Sequence, residues 1–177
     1  MEATIIGTLS VVLLAISVIY AGRQLQLLRR QHSEDHDWNR RLAAQQAIDK
    51  YHNIQLMVET ISEHLDFQNR TEGITLADIE AKFKETGTLQ TRVHSVINYF
   101  EAMARGVRQG IYDEEVIKNA FQGHMNRVYE SFRYYIESRR RNLHNPQIWI
   151  ELEEISDKWR KELRAVEPRR DPIASRR

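Results

Sequence analysis

Residues 113–141, DEEVIKNAFQGHMNRVYESFRYYIESRRR, carry the clearest helical pattern in the chain. Asp113 is a good N-cap residue, and Glu114 and Glu115 suit the positive end of a helix dipole. The apolar residues that follow recur at helical spacing and form one face. That face comprises Val116, Ile117, Ala120, Phe121, Val128, Phe132 and Ile136. The stretch therefore predicts a long amphipathic helix that runs to about Arg141.

Further helices are predicted on the N-terminal side of this stretch. Apolar residues from 44 to 65 predict an amphipathic helix, and those from 93 to 107 predict another that ends at Gly110. Between them, residues 69–74 form a loop, and residues 75–78, TLAD, have the form of a capping box before a short helix that Gly87 stops. Because no Gly or Pro occurs from residue 23 to 72, the first helix either continues unbroken or restarts at a cap near His32–Asp35. Sustained coiled-coil heptads are missing, since Gln45 and Asp49 interrupt them.

On the C-terminal side, Asn145-Pro146 is a cap followed by proline, which predicts a new helix from that point to Pro168. Its face comprises Ile148, Trp149, Leu152, Ile155, Trp159 and Leu163. With only 7 Gly and 3 Pro, and no long alternating pattern, the chain does not resemble a β-sandwich or barrel. The predicted fold is all-α, with one N-terminal transmembrane helix and a cytoplasmic bundle of about four or five helices.

Residues 3–22, ATIIGTLSVVLLAISVIYAG, contain no charged side chain. Twenty helical residues span about 30 Å, the thickness of the hydrocarbon core of a membrane. A cleaved signal peptide is a weaker interpretation, because no Lys or Arg precedes the stretch and cleavage after Ala21 would place Ile19 at the −3 position. A buried core helix is a third interpretation of these residues. The stretch is therefore expected to bind membrane lipid as a single-pass anchor.

The basic residues that flank the anchor predict its orientation. Arg23, Arg29 and Arg30 follow the uncharged stretch, whereas none precedes it. The positive-inside rule therefore places the N-terminus outside and the C-terminal part in the cytoplasm, which in a bacterium means the inner membrane. The expected organisation is a transmembrane helix (3–22), a juxtamembrane segment (23–37), a cytoplasmic helical domain (38–167) and a basic, disordered tail (168–177).

Few catalytic or cofactor motifs are present. The chain has no Cys, which excludes disulfides, thiolate zinc sites and Cys nucleophiles. No glycine-rich phosphate loop or Gly-x-Ser-x-Gly elbow occurs, so no cofactor or small-molecule substrate is predicted. His32 and His36 have the spacing of metal ligands, but Ser33 stands where a zinc protease needs Glu, so no metal is predicted.

Arg139 and His144 are separated by four residues, which resembles the active-site motif of the all-helical HEPN ribonucleases. Such a short motif also arises by chance, and a basic helix end that complements the dipole explains the same residues. A membrane-tethered ribonuclease that uses Arg139 and His144 is therefore the alternative hypothesis. Binding of nucleic acid is otherwise not expected, since the excess of basic residues lies in residues 160–177, which either meet anionic lipid or remain solvated.

The most distinctive run is residues 97–115, INYFEAMARGVRQGIYDEE. Small residues at every fourth position, Ala102, Gly106 and Gly110, predict close packing on a neighbouring helix. The adjoining polar stripe is Asn98, Glu101, Arg105 and Arg108, and it is either a buried polar network or partner site, or a solvated stripe.

This run carries a family resemblance. The N-terminal apolar helix, the Arg-rich segment with Trp38, and the motif Asn98-Tyr99-Phe100-Glu101…Arg105-Gly106…Gly110-Ile111-Tyr112-Asp113 resemble a bacterial family of membrane-anchored helical proteins, domain of unknown function 4760. The resemblance covers roughly residues 1–165 and is specific in the middle run. It implies a helical fold and an anchor, and a role in stress response or phage defence. It implies no catalytic residue.

The functional prediction follows from the anchor and the missing chemistry. The chain is expected to be a single-pass membrane protein whose cytoplasmic helical domain is a protein-interaction or regulatory module without evident catalysis. Its partner is expected to be another protein or a second copy of the chain.

Overall fold

In the computed structural model, the backbone is described for residues 2–70 and 72–166, and side chains for residues 17, 20–70 and 72–165. Over these residues the fold is all-α, as predicted, with six helices and no strand. The helices are α1 (Glu2–Asp49), α2 (His52–Leu65), α3 (Leu76–Glu85), α4 (Leu89–Arg108), α5 (Glu114–Asn142) and α6 (Ile150–Val166).

The predicted anchor and tail fall largely or wholly outside this description. Of the side chains in residues 3–22, those of 3–16, 18 and 19 are not described, and the predicted tail, 168–177, is not described at all. In the part of the chain that the structure describes, no helix combines the length and the apolar character needed to cross a membrane.

The chain divides into two units, one that ends at Leu42 and one that begins at Ala43. In the first unit, α1 continues through His32–Asp35 without the restart that the sequence left open. Every residue from Tyr20 to Leu42 except Arg40 is exposed.

The second unit is a bundle around α4, which packs against α2, α5 and α6. Its largest fully buried side chains come from these helices, from α3 and from the loop after α2. They are Trp159, Phe67, Phe100, Phe132, Ile61, Ile74, Ile79, Leu89, Ile97, Ile117, Met125 and Ile136. The apolar faces read from the sequence of α4 and α5 are therefore the faces that form the core.

A turn at Lys50-Tyr51 divides the amphipathic helix that the sequence predicted over residues 44–65. Here the N–H groups of Tyr51 and Ile54 donate to carbonyls three residues back, at 2.8 and 2.9 Å. The Tyr51 ring lies 4.9 Å from the ring of Phe121, centroid to centroid, within an aromatic cluster. Burial of this ring accompanies the tight turn, and the prediction of one continuous helix was wrong.

Local capping signals fixed the starts of α3 and α5 correctly. The Thr75 hydroxyl accepts from the Asp78 N–H at 3.2 Å, and the Asp113 carboxylate accepts from the Val116 N–H at 3.1 Å. The start of α6 was predicted too early. The Asn145 side chain instead accepts from the Gln147 N–H at 3.0 Å in a turn, and α6 begins at Ile150.

Candidate functional site

The polar stripe of α4 forms hydrogen bonds with residues at the start of α6. The Asn98 carbonyl oxygen accepts from the Trp149 indole N–H at 2.7 Å. One Glu101 oxygen, Oε2, accepts from the Leu152 backbone N–H at 2.8 Å, and the other accepts from Arg105 at 3.3 Å. Asn98 and Glu101 therefore reach from α4 to the residues at the start of α6.

Glu101 provides the cap that α6 does not make locally. The residue before α6, Trp149, has a positive φ of 55°, which is unlike the extended conformation of an ordinary N-cap. The Leu152 N–H is one of the donors that a helix start leaves unpaired, and the Glu101 carboxylate accepts it from a different helix. A carboxylate at this place also suits the positive end of the α6 dipole.

The position of Glu101 in the core perturbs its ionisation. The residue is 6 % exposed, and this burial raises the pKa of its carboxyl above the ordinary value. Hydrogen bonds from the backbone N–H groups of Leu152 and Glu151, and the charge of Arg105, act on the same pKa in the opposite direction and do not fully offset the burial.

A second carboxylate, Glu151, completes the network. Glu151 is buried in the first turn of α6 and forms an ion pair with Arg108 of α4. The guanidinium groups of Arg105 and Arg108 lie mostly at the surface, while both carboxylates lie inside. Of the two interpretations of the stripe, the structure therefore favours a partly buried polar network between α4 and α6.

The small residues of the motif form no helix-packing seam in the part of the chain that the structure describes. Ala102 is exposed, and a Cβ at Gly106 would overlap the ring of Tyr112 rather than a second helix. Gly110 has a φ of +69°, a left-handed conformation that glycine adopts at little cost, and it closes the turn before Asp113. Within the described residues, Gly106 and Gly110 therefore shape the α4–α5 turn, and the close approach of a neighbouring helix stays a prediction.

The structure does not bring the two residues of the ribonuclease hypothesis into one cavity. Arg139 lines a surface cavity with residues of α3 and α4. His144 is exposed in the turn after α5, has a φ of 50°, and is not part of the lining of that cavity. Its backbone N–H donates to the Arg141 carbonyl at 3.2 Å as the helix ends.

No metal site emerges among the described residues. His32 and His36 are exposed, and nowhere in residues with described side chains do three or more His, Asp or Glu side chains gather as metal ligands would.

Two features of the structure had no signal in the sequence. The Tyr135 hydroxyl lies 2.6 Å from a ring nitrogen of His94, and the Tyr135 ring stacks on that of Trp149. Glu114 accepts from the indole N–H of Trp159 at 2.9 Å and from Lys158 at 2.7 Å. Burial raises the pKa of Glu114, but these hydrogen bonds and the charge of Lys158 outweigh it and bring the pKa below its ordinary value. The hydrogen bonds join residues more than forty positions apart, and the ring contact joins different elements, so local pattern could not reveal them.

The geometry defines a class: an all-α domain in which a polar network couples its central helix to its last helix, with a long N-terminal helix before it. The chain belongs to the family described as domain of unknown function DUF4760, whose model matches residues 8–159. This match confirms the resemblance carried by residues 97–113. No curated protein and no solved structure was found to match the chain.

Proposed function

We propose that this chain is a membrane-anchored helical protein that works as an interaction module, and that its first partner is a second copy of itself. One observation carries the proposal. Between Tyr20 and Leu42, α1 exposes a row of large apolar side chains. The row comprises Tyr20, Leu27, Leu28, Trp38 and Leu42, each at least 45 % exposed, whereas the exposed Leu25 lies outside it.

The row lies on one side of the helix. At 3.6 residues per turn, its five members fall within an arc of about 100°. Single exposed apolar residues are common, but an aligned series marks an interaction surface. Gln24, Gln31 and Asp35 fall within the same arc and interrupt it. The row therefore suits a short, modest helix pair rather than a continuous coiled coil.

The proposed anchor explains why the occupant should be another copy. If residues 3–22 span the membrane, every copy carries its row at the same height and in the same direction. Two parallel helices then meet in register without a further positioning element. Arg23, Arg29 and Arg30 lie outside the arc, so they do not oppose the pair and remain available to the anionic inner leaflet.

Cysteine cross-linking in membranes tests this pairing, since the chain has no native Cys. Leu28→Cys and Trp38→Cys place a thiol on the row. In a parallel pair, each of these positions faces its own copy, so each variant should form a disulfide-linked dimer under mild oxidation. A disulfide usually spans Cα atoms about 4.4–6.8 Å apart. Asp35→Ala removes a charge from the row and should increase the cross-linked fraction.

Ser33→Cys is the matched control, because residue 33 lies on the side of α1 opposite to the row. Equal cross-linking of Ser33→Cys and Trp38→Cys would contradict the helix pair, as would cross-linking to a different protein alone. The anchor is tested separately by reporter fusions at the C-terminus, where periplasmic activity would overturn the proposed topology. Deletion of residues 2–22 should release the chain from the membrane fraction.

The ribonuclease alternative is not supported by a specific contact. It requires His144 to act on a phosphate beside Arg139, and His144 does not line the Arg139 cavity. The environment of Arg139 nevertheless suggests a different role for this residue.

A further inference from the structure

A surface cavity of about 300 Å³ lies where α3, the start of α4 and the end of α5 meet. Its polar lining includes Lys84, Ser138, Arg139 and Asn142, and the ring of Phe83 forms part of the apolar wall. Ligand pockets usually begin at about this volume. None of these residues belongs to the polar network between α4 and α6.

Arg139 is an arginine without a partner. No described carboxylate lies within ion-pair distance of it, and its Nε is shielded from solvent and has no hydrogen bond. Arg133 and Arg140, on the same helix, also have one shielded nitrogen, but their other nitrogens bind Glu130 and Glu153. A shielded donor without an acceptor is costly, and an anion bound by the same guanidinium would offset that cost.

The wall behind Arg139 is held rigidly. The Tyr135 hydroxyl is bonded to Gln90 at 3.2 Å and to His94 at 2.6 Å. The Tyr135 ring meets the ring of Phe83 edge to face, with centroids 5.4 Å apart. Because these groups are already ordered, this wall loses little conformational entropy on binding.

We propose that this cavity binds the phosphate group of a small phosphomonoester, with Arg139 and Lys84 as its cationic ligands. The Arg guanidinium offers a planar pair of donors that matches a phosphate, and Lys84 adds a point charge. Ser138 and Asn142 supply further donors. Three phosphate oxygens can serve this donor set together, whereas a carboxylate has only two.

The remainder of the ligand lies between an apolar and a polar wall. Phe83 offers a ring face or edge to an apolar group, and the Glu80 carboxylate, also in the lining, accepts hydrogen bonds from a hydroxyl or amino group. A free phosphorylated metabolite and a phospholipid headgroup both present this chemistry, so the experiment includes one probe of each kind.

Isothermal titration of the purified full chain in detergent solution tests the site. The probes are inorganic phosphate, adenosine monophosphate and short-chain dioctanoyl phosphatidic acid. Saturable binding of at least one phosphomonoester is expected, and Arg139→Gln should weaken it about tenfold or more, as expected for a charge-assisted bidentate contact. Lys84→Gln should weaken it less. Preference for adenosine monophosphate indicates a soluble ligand, and preference for phosphatidic acid indicates a lipid headgroup.

Arg141→Gln is the matched control. Arg141 lies two residues further along α5 and is exposed, and its side chain forms an ion pair with Glu137 at 3.9 Å. The substitution Arg141→Gln removes the same charge from the same helix, but outside the cavity lining. It should therefore leave the affinity for the probe unchanged. Equal loss in Arg139→Gln and Arg141→Gln would overturn the proposal, as would no saturable binding at about 1 mM probe. If Arg139→Gln does not fold, unchanged binding by Lys84→Gln would overturn it.

Discussion

Replacing Glu101 with alanine removes the group that caps α6 from α4. The Leu152 N–H then loses its acceptor inside the core, because Leu152 is fully buried and no solvent replaces the carboxylate. An unsatisfied buried donor costs about 1–3 kcal/mol. Loss of a negative charge at a helix N-terminus adds about 0.3–1 kcal/mol.

The ion pair with Arg105 contributes little to this total. The Arg105 side chain is 54 % exposed, and such pairs are worth about 0–1 kcal/mol. Glu101→Ala should therefore lower the free energy of unfolding by about 2–4 kcal/mol. Glu101→Gln keeps an oxygen that accepts from Leu152 and avoids a buried charge, so it should cost only about 0–1 kcal/mol.

The two substitutions also predict a pH dependence. Burial raises the pKa of Glu101 in the folded state above its ordinary value of 4.5, so the folded chain binds this proton more tightly than the unfolded chain. The contribution of this group to stability is then greatest below pH 4.5 and is lost as the pH rises through the raised pKa. The unfolding free energy of the wild-type chain, relative to Glu101→Gln, should therefore increase on acidification.

Urea unfolding of the full chain in detergent solution, followed by circular dichroism, measures these differences. Glu63→Ala is the matched control, because Glu63 is an exposed residue inside α2 and undergoes the same change in helix propensity. It should change stability by less than about 0.5 kcal/mol. If Glu101→Ala and Glu63→Ala destabilise equally, or if Glu101→Gln is as harmful as Glu101→Ala, the capping role of Glu101 is refuted.

Three further outcomes are expected in the same assay. Gly106→Ala should cost about 1–3 kcal/mol because its new methyl group overlaps the Tyr112 ring, and an unchanged stability would show that this ring moves aside freely. Gly123→Ala, inside α5 with open space around it, should instead stabilise the fold by about 0.5–1 kcal/mol, and a loss would contradict the open space. The pKa of Glu114 is lowered in the folded state, so its contribution to stability is present above the ordinary pKa and is lost as the pH falls. The stability advantage of the wild-type chain over Glu114→Gln should therefore shrink on acidification, which is the opposite of the trend expected for Glu101. In Lys158→Met this loss should shrink, since Lys158 is one cause of the shift.

The helices were predictable where local chemistry alone determines them. Thr75 and Asp113 cap helices through their own side chains, and these signals are complete within four residues. The break at Tyr51 was not predictable in this way, because it accompanies aromatic packing against residues of α4 and α5. Similarly, the chain has proline at position 146, yet α6 begins at Ile150, where Glu101 of another helix supplies the cap.

The candidate site was predictable as a list of residues but not as an arrangement. The spacing of Asn98, Glu101 and Arg105 placed them on one side of α4, and nothing in the spacing identified α6 as their partner. The helical step of Ala102 and Gly106 suggested a seam, because sequence alone does not distinguish room for a second helix from room for the Tyr112 ring.

The residues that folding explains help to identify those that it does not. Glu101 and Gly106, two members of the run that carries the family resemblance, each have a structural task in joining α4 to its neighbours. The Arg139 side chain, by contrast, forms no ion pair or hydrogen bond among the described residues, and it lines a cavity. Its charge complements the C-terminal end of the α5 dipole, but its shielded Nε without an acceptor is a feature that the fold does not explain. The search for a biochemical activity should therefore start at the Arg139 cavity and not at the motif that carries the family resemblance.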